Sequence, residues 1–471
     1  DLTEKVKFGE DNELVIQVKD THPVRVGGIL GNVCLYKTLP FTRSEDNGII
    51  AERKTENFSV ILHLGDALLS KAGRTILAQS ELSEIQVPPY ILREDELILL
   101  LPANLIEDSG SLYKVELENV SSVRDERALC VRLGELAESV KLYDLMNIPI
   151  KVEGSYSNPF DPEQINVQAI FETPSGDVEK VAAFFAQDFT NIDVSEDEEI
   201  LLPKKCNPWR LYYRPREVGV YKIELFAQDK TGIKRTETKI FSVAESTKRG
   251  FLRVSKRDPR FFEFDNGESF YGIGPSGWFR DENFLFGGNP RWLTTKRSDG
   301  YYERKSSHHS NYEYCLSVFF GQLYTKGGFI DQHVAWKAEH RIRTMERLGI
   351  YWIVVYDDLR RAFRYGFDNL AYSAAQGGVC NDLGELYFNE RALRMQKDQL
   401  RYFISRVSDS PAIWIWNCGD EHQPGFSYSR LLVLSWLKEL HSYIRQIDVY
   451  RHPHAIGEEY YSIVFGGEAV L

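Results

Sequence analysis

Carboxylates, a thiol and an imidazole crowd into one stretch of the chain, Pro411-Ala-Ile-Trp-Ile-Trp-Asn-Cys-Gly-Asp-Glu-His-Gln423. Asp420 and Glu421 could give and take protons as a general acid/base pair. Their plainer reading is a pair of solvated loop acids. Cys418 and His422, four residues apart, could form a nucleophile with its base. A thiol with a pKa of about 8.5 is a poor proton donor at neutral pH, however, and a buried Cys is commonly just a small apolar residue. A third acid, Glu468, closes a second apolar run, Tyr461-Ser-Ile-Val-Phe-Gly-Gly-Glu468. Its plainer reading is an exposed glutamate.

Such acids act only if the backbone aims them at one place. Short bulky runs that stop at polar residues read as buried parallel strands emerging into a site. Four are expected: Cys315–Phe320, Tyr351–Tyr356 ending at Asp357-Asp358, Ile413–Trp416, and His452–Ile456. Helices alternate with them. Asp331 is an expected N-cap, with Val334, Ala338, Ile342, Met345 and Leu348 at helical spacing and Gly349 as the stop. Asn389 caps a second helix carrying Leu393, Leu400, Phe403, Ile404 and Val407. A third, over 428–447, carries Leu432, Ser435, Leu440, Tyr443 and Ile447. Strand–helix alternation implies a parallel sheet.

Upstream the chain reads as β. Residues 1–147 hold β-rich runs at Leu14–Val18, Phe58–Leu64, Leu97–Leu101 and Tyr113–Val120, and a sandwich without a site is expected. Residues 148–249 show turn signals at sandwich spacing: Asn158-Pro-Phe-Asp-Pro162, Thr173-Pro-Ser-Gly176 and Asp229-Lys-Thr-Gly232. At Phe261–Gly274, an Asp265-Asn-Gly267 turn should join two strands.

Composition narrows the function. The net charge of −12 and pI near 5.5 leave no basic stripe for phosphates, which argues against nucleic acid. No apolar run approaches the roughly 20 residues a membrane span needs. The six cysteines form no CxxC pair, and adjacent His308 and His309 rarely share one ion, so neither metal nor cofactor is expected. A start at Asp1 suggests processing or trimming, and a secreted, periplasmic or cell-surface location is favoured over the cytoplasm.

Several motifs carry a resemblance. Asn158-Pro-Phe-Asp161, the Pro174-x-Gly176 turn, the Trp209 strand and Arg214-Pro-x-x-x-Gly-x-Tyr221 resemble the small immunoglobulin-like sandwich that precedes many bacterial barrel glycosidases. The chain after Gly250 resembles the barrel of the large (β/α)₈ glycoside hydrolase clan. The expected fold is therefore two N-terminal β-sandwiches, 1–147 and 148–249, followed by a (β/α)₈ TIM-barrel-type domain, 250–471. That last span is shorter than the roughly 250 residues of a closed barrel, so either the chain is truncated, or segments are missing, or the barrel is incomplete.

The resemblance implies a retaining glycoside hydrolase acting on a polysaccharide or oligosaccharide. Glu468 matches the nucleophile at the end of the seventh strand. Asn417 matches the residue before the acid/base, but Cys418 stands where the family has Glu, so Asp420 or Glu421 must supply that function. Tyr372-Ser-Ala-Ala-Gln-Gly-Gly378 resembles the family's Tyr-Asn-x-x-x-Gly-Gly loop beside the active site, with Ser373 for Asn. Asn417, Tyr372, Gln376 and the loop aromatic Trp278 are the expected sugar contacts, with Trp292, Tyr301 and Tyr302 as further loop aromatics. The Arg that ends the family's second strand is missing from Cys315–Phe320. These departures support an alternative: a barrel that lost its acid and serves as a carbohydrate-binding or cell-surface structural protein. Alternation should send Trp414 and Trp416 to one face, as packing.

Overall fold

A computed structural model describes short strands between Lys37 and Lys114, and residues 128–456 apart from 155, 157, 194–198, 205, 275–293, 317–322, 326–328, 357–366, 377 and 419–429. The chain divides into two compact units, Asp1–Arg124 with Thr190–Lys204, and Asp125–Phe189 with Lys205–Leu471. In the first unit, Arg74–Ser80 pairs antiparallel with Ser83–Tyr90, Leu62–Leu64 and Tyr113–Lys114, and Lys37–Pro40 pairs with Glu96–Leu99. The expected run Leu14–Val18 lies outside the described residues.

The second unit begins with two sheets face to face. One has the order β1-β3-β7-β6: β1 (Cys130–Leu133), β3 (Met146–Glu153), β7 (Trp209–Tyr213) and β6 (Phe184–Phe185). The other has the order β2-β10-β8-β4-β5: β2 (Ser139–Lys141), β10 (Lys239–Ala244), β8 (Gly219–Asp229), β4 (Ile165–Glu172) and β5 (Val178–Ala182), with β9 (Gly232–Arg235) on β8. Alternation builds the core: Ile165, Val167, Ala169 and Phe171 turn inward from β4, and Tyr221, Ile223, Leu225 and Ala227 from β8. Phe171 stacks on Tyr213 across the layers at 3.7 Å. The turn motifs act locally. Asn158 Oδ1 accepts from the Phe160 amide (3.0 Å), and Asp229 Oδ1 accepts from the Thr231 amide (2.7 Å). The sandwich takes up strands from Cys130 onward, and β3 runs across residues 147 and 148. Its first two strands pair with distant partners, Cys130 with Glu153 and Ser139 with Ser242, which no local pattern displays.

A three-stranded hairpin follows: β11 (Leu252–Val254), β12 (Phe262–Phe264) and β13 (Ser269–Phe270). Asp265-Asn-Gly267 makes the tight turn, with Gly267 at φ 86°, where only glycine is unstrained. Then come four parallel strands in chain order, β14 (Tyr312–Leu316), β15 (Tyr351–Val355), β16 (Ile413–Cys418) and β17 (His454–Ile456). Helices α1 (Thr295–Ser307), α2 (Gln332–Leu348), α3 (Glu390–Val407) and α4 (Arg430–Ile447) alternate with them. Strands in chain order with a helix in each crossover are singly wound, the arrangement of a barrel wall rather than a doubly wound sheet. The hairpin covers one face: Leu252, Phe264 and Phe270 pack with Tyr351, Trp414 and Ile415.

The caps stand where the sequence places them. Asp331 Oδ1 accepts from the amides of His333 and Val334, Asn389 Oδ1 from those of Arg391 and Ala392, and Gly349 closes α2 at φ 67°. Three expectations change. The buried stripe of α4 is Val433, Trp436, Leu437, Leu440 and Ile444, while Leu432 and Ser435 are exposed. Tyr301 and Tyr302 are buried inside α1 rather than carried on a loop. The strand expected at Cys315–Phe320 begins earlier, at Tyr312.

Sandwich and helices share a buried ionic seam. The Arg214 guanidinium donates to Glu346 Oε1 (2.8 Å), to the Asp409 carbonyl (2.9 Å) and to the Tyr143 carbonyl (2.8 Å). Arg343 grips Asp409 through two bonds of 2.8 Å. Burial alone would raise the Glu346 carboxyl, yet Arg214 and Arg343 hold it below the usual range.

On the helix side of the sheet, His441 of α4 and His454 of β17 meet ring to ring at 4.6 Å. Burial pushes His441 down to about 4 and His454 down to about 3. Below pH ~6.5 the unfolded imidazoles take up protons that the native ones refuse, so stability falls as pH drops from there. Replacing His454 with Gln should flatten that decline by roughly 1.4 kcal/mol per pH unit. Urea titrations of both proteins between pH 7 and 5 read the difference. Burial also pushes Asp398 up to about 7, which slopes the other way, but equally in both proteins. Parallel pH dependences would refute the buried neutral pair.

Candidate functional site at the carboxyl edge of the parallel sheet

Parallel strands deliver their carboxyl ends to one edge, and that edge is where a singly wound sheet can host chemistry. β16 is flanked on both sides, by β15 and β17, and it carries the Asn417-Cys418 pair at its end. Its backbone is irregular. Trp352 pairs with Ile413 and Ile353 pairs with Ile415, so Trp414 is an extra, bulged residue. The bulge corrects the expectation that both tryptophans share a face. Trp414 packs into the hairpin cluster, edge-on to Phe262 (5.0 Å) and Phe270 (4.9 Å). Trp416 lies in the helix layer against Phe403, and its indole nitrogen donates to Asp448 Oδ2 (2.9 Å). Both are packing residues, as expected.

The bulge also sets the row to which Asn417 belongs. Asn417 pairs with Val355 on one side and Ala455 on the other. Ala455, Ile353 and Tyr312 of the same face pack against the hairpin cluster. Asn417 is only 4% exposed. Its Nδ2 lies 3.5 Å from the Tyr314 hydroxyl, and its backbone carbonyl accepts from the Tyr356 amide (3.1 Å). Its Oδ1 has no hydrogen-bond partner among the described residues. A buried amide oxygen left unpaired costs on the order of 1–3 kcal/mol, and a ligand hydroxyl would relieve that cost.

The Tyr372 loop is shaped by its glycine. The Cys380 amide donates to the Tyr372 carbonyl (2.9 Å), and the Gly378 amide donates to the Ser373 carbonyl (2.8 Å). A Cβ on Gly378 would fall 2.2 Å from the Tyr372 carbonyl, so the backbone closes here only with glycine. The Tyr372 hydroxyl donates to Gln399 Oε1 of α3, which engages it with the helix layer. Gln376 ends a short 3₁₀ turn, Ala374–Gln376. Cys418 ends β16, its backbone in register with Ile456. Glu468, Asp420, Glu421, His422, Trp278 and Trp292 lie outside the described residues.

A buried acid that sequence reading passed over is Glu313 of β14. Lys305 of α1 reaches it at 2.5 Å and the Tyr301 hydroxyl at 3.0 Å. Burial raises its carboxyl, against the pull of Lys305. Alternation along β14 separates it from Tyr312 and Tyr314, so it ties α1 to the sheet and does not join Asn417. Tyr314 was likewise not singled out. Its one signal is the alternation Tyr-Glu-Tyr at residues 312–314, which sets two hydroxyl-bearing rings on one row. His308 and His309 are exposed at the end of α1. Among the described residues no helix is long and apolar enough to cross a membrane.

No protein-family model matches the chain, and no curated protein does. Among solved structures it is similar to a candidate glycoside hydrolase from Bacteroides vulgatus, at 15% identity and TM-score 0.43, over 68% of this chain and 56% of that one. It is also similar to the endo-β-1,4-mannanase from Thermotoga petrophila, at 18% identity and TM-score 0.29, over 36% of this chain and 41% of that one. A family 5 mannosidase from Rhizomucor miehei matches at 13% identity and TM-score 0.30, over 45% and 56%. The chain thus spans less than two thirds of the length of each.

Proposed function

We propose that this protein is a retaining glycoside hydrolase acting on a polysaccharide or oligosaccharide. The observation that carries the reading is Asn417: a buried amide whose carbonyl oxygen has no partner among the described residues, at the carboxyl end of a flanked strand in a singly wound parallel sheet. Its place in Asn417-Cys-Gly-Asp-Glu421 and the Gly-Gly-Glu468 ending support the assignment of roles. Glu468 attacks the anomeric carbon, and the glycosidic C–O bond breaks as the ester forms. Asp420 or Glu421 gives its proton to the leaving oxygen. The resulting carboxylate then takes a proton from the water that cleaves the glycosyl ester, which restores both groups. Tyr372, Gln376 and Trp278 complete the sugar-binding side, and the protein acts at or beyond the cell surface.

A second reading is favoured by one residue. Cys418 occupies the position where this kind of barrel carries its acid, and a thiol cannot protonate a leaving alkoxide well at neutral pH. A barrel so altered would bind glycans without cutting them. Both readings require Asn417 to meet a sugar hydroxyl. Binding to cello-, manno-, xylo- and galacto-oligosaccharides should therefore weaken roughly 10- to 100-fold in Asn417→Ala. Equal affinity in the variant, for every sugar that binds, would remove Asn417 from the site and the main support for both.

A further inference from the structure

The Asn417 amide is held from below, and the holding group is not one of the residues that the reading above assigns. Tyr314 sits on β14, two strands away from β16, with β15 between them. Register places Tyr314 opposite Ile353 and Ile353 opposite Ile415, one step deeper than the Asn417–Val355 pair. A tyrosine side chain is long enough to climb that step, and the phenol oxygen ends 3.5 Å from Asn417 Nδ2. In this contact the amide nitrogen faces the phenol oxygen. With Nδ2 turned to the phenol oxygen, Oδ1 is left without a partner among the described residues, in a residue 4% exposed. With Nδ2 on Tyr314, the end of the amide left to meet a ligand is the acceptor Oδ1.

We infer that Tyr314 is a positioning residue for ligand binding: it orients the Asn417 amide so that Oδ1 accepts a hydrogen bond from a hydroxyl of the bound sugar. The inference rests on the carbohydrate reading above. Tyr314 also stands on the strand whose sequence lacks the arginine expected near its end, and among the described residues of this strand the polar group beside Asn417 is a neutral phenol. The ligand class that suits such an acceptor is a neutral hydroxyl donor. A sugar whose corresponding hydroxyl is removed or methylated should lose the contact.

A double-mutant cycle tests this, with the same four classes of oligosaccharide as probes. Tyr314→Phe keeps the ring and removes the oxygen. It should weaken binding of the tightest probe roughly three- to tenfold, with the thermal midpoint unchanged. Asn417→Ala should weaken it more, and Tyr314→Phe added to Asn417→Ala should weaken it no further. Losses that multiply in the double variant would overturn the inference, because Tyr314 would then act on its own. Wild-type affinity in Tyr314→Phe would overturn it while leaving the carbohydrate reading intact. No binding by the wild-type chain would overturn both. One measurement does not depend on Tyr314→Phe folding. The Asn417 side-chain amide protons of the wild-type protein, identified by their absence from Asn417→Asp, should exchange slowly with solvent. Exchange at the rate of an exposed amide would show that nothing holds it.

Discussion

Glu468→Gln should reduce turnover of a polysaccharide substrate by three orders of magnitude or so, with binding nearly unchanged. Glutamine has the shape of glutamate but no charge to form a bond with the anomeric carbon. Removing a group that acts only in the transition state lowers kcat and kcat/KM together and spares ground-state affinity. Single positioned catalytic groups contribute about 10²–10⁴-fold, and a nucleophile belongs at the upper end because the covalent step depends on it. The same logic sorts the acids near β16. Asp420→Asn and Glu421→Gln should differ, one near wild type and the other close to Glu468→Gln. If both matched the wild type while Glu468→Gln failed, the proton would have to come from another group. Undiminished activity in Glu468→Gln would remove Glu468 from the chemistry.

The second large effect concerns stability. Arg214→Ala should lower the unfolding free energy by about 3–5 kcal/mol, since breaking a buried pair leaves its partner's charge uncompensated. Arg214 is 3% exposed at its side chain and contacts Glu346, and its other bonds go to the Asp409 and Tyr143 carbonyls. It joins the sandwich strand β7 to helix α2 and to the turn after α3, so its loss removes a bond between layers as well as a charge. Lys222→Ala makes a natural control. Lys222 and Glu172 are each 49% exposed, and such a pair contributes at most about 1 kcal/mol. Urea unfolding measures both variants. A change below about 1 kcal/mol in Arg214→Ala would contradict the role of the seam.

These features differ in how far the sequence displays them. Helix ends are written locally: Asp331, Asn389 and Gly349 act on amides and carbonyls within a few residues, and each stands where the pattern puts it. The Asp265-Asn-Gly267 turn is equally local. Helix α4 misleads because Leu431-Leu-Val-Leu434 is apolar on every side, so its stripe can be drawn on either of two faces. Helix α1 hides for the opposite reason. It has Gly300 in its middle and charged residues throughout, and one of its two buried tyrosines, Tyr301, bonds to Glu313 and lies under Lys305. The bulge at Trp414 is a property of the pairing between strands, and no spacing within β16 reveals it.

The site divides in the same way. Asn417 is legible as the polar stop of an apolar run. Tyr314 is not, because its function depends on a reach across two strands that only the register defines. The Arg214-Pro motif is visible in the sequence, and its physical meaning appears only in the fold, where Arg214 bonds the sandwich to the helices.

The most direct test of the central claim is reducing-sugar release by the wild-type chain from a panel of plant and microbial polysaccharides, with glycan binding measured on the same preparation. The account predicts release from at least one polysaccharide, at the bonds of a sugar that the chain also binds. Binding without release would contradict the hydrolase and leave a glycan-recognition barrel in its place. Neither release nor binding, from a chain that unfolds cooperatively, would contradict the carbohydrate reading as a whole.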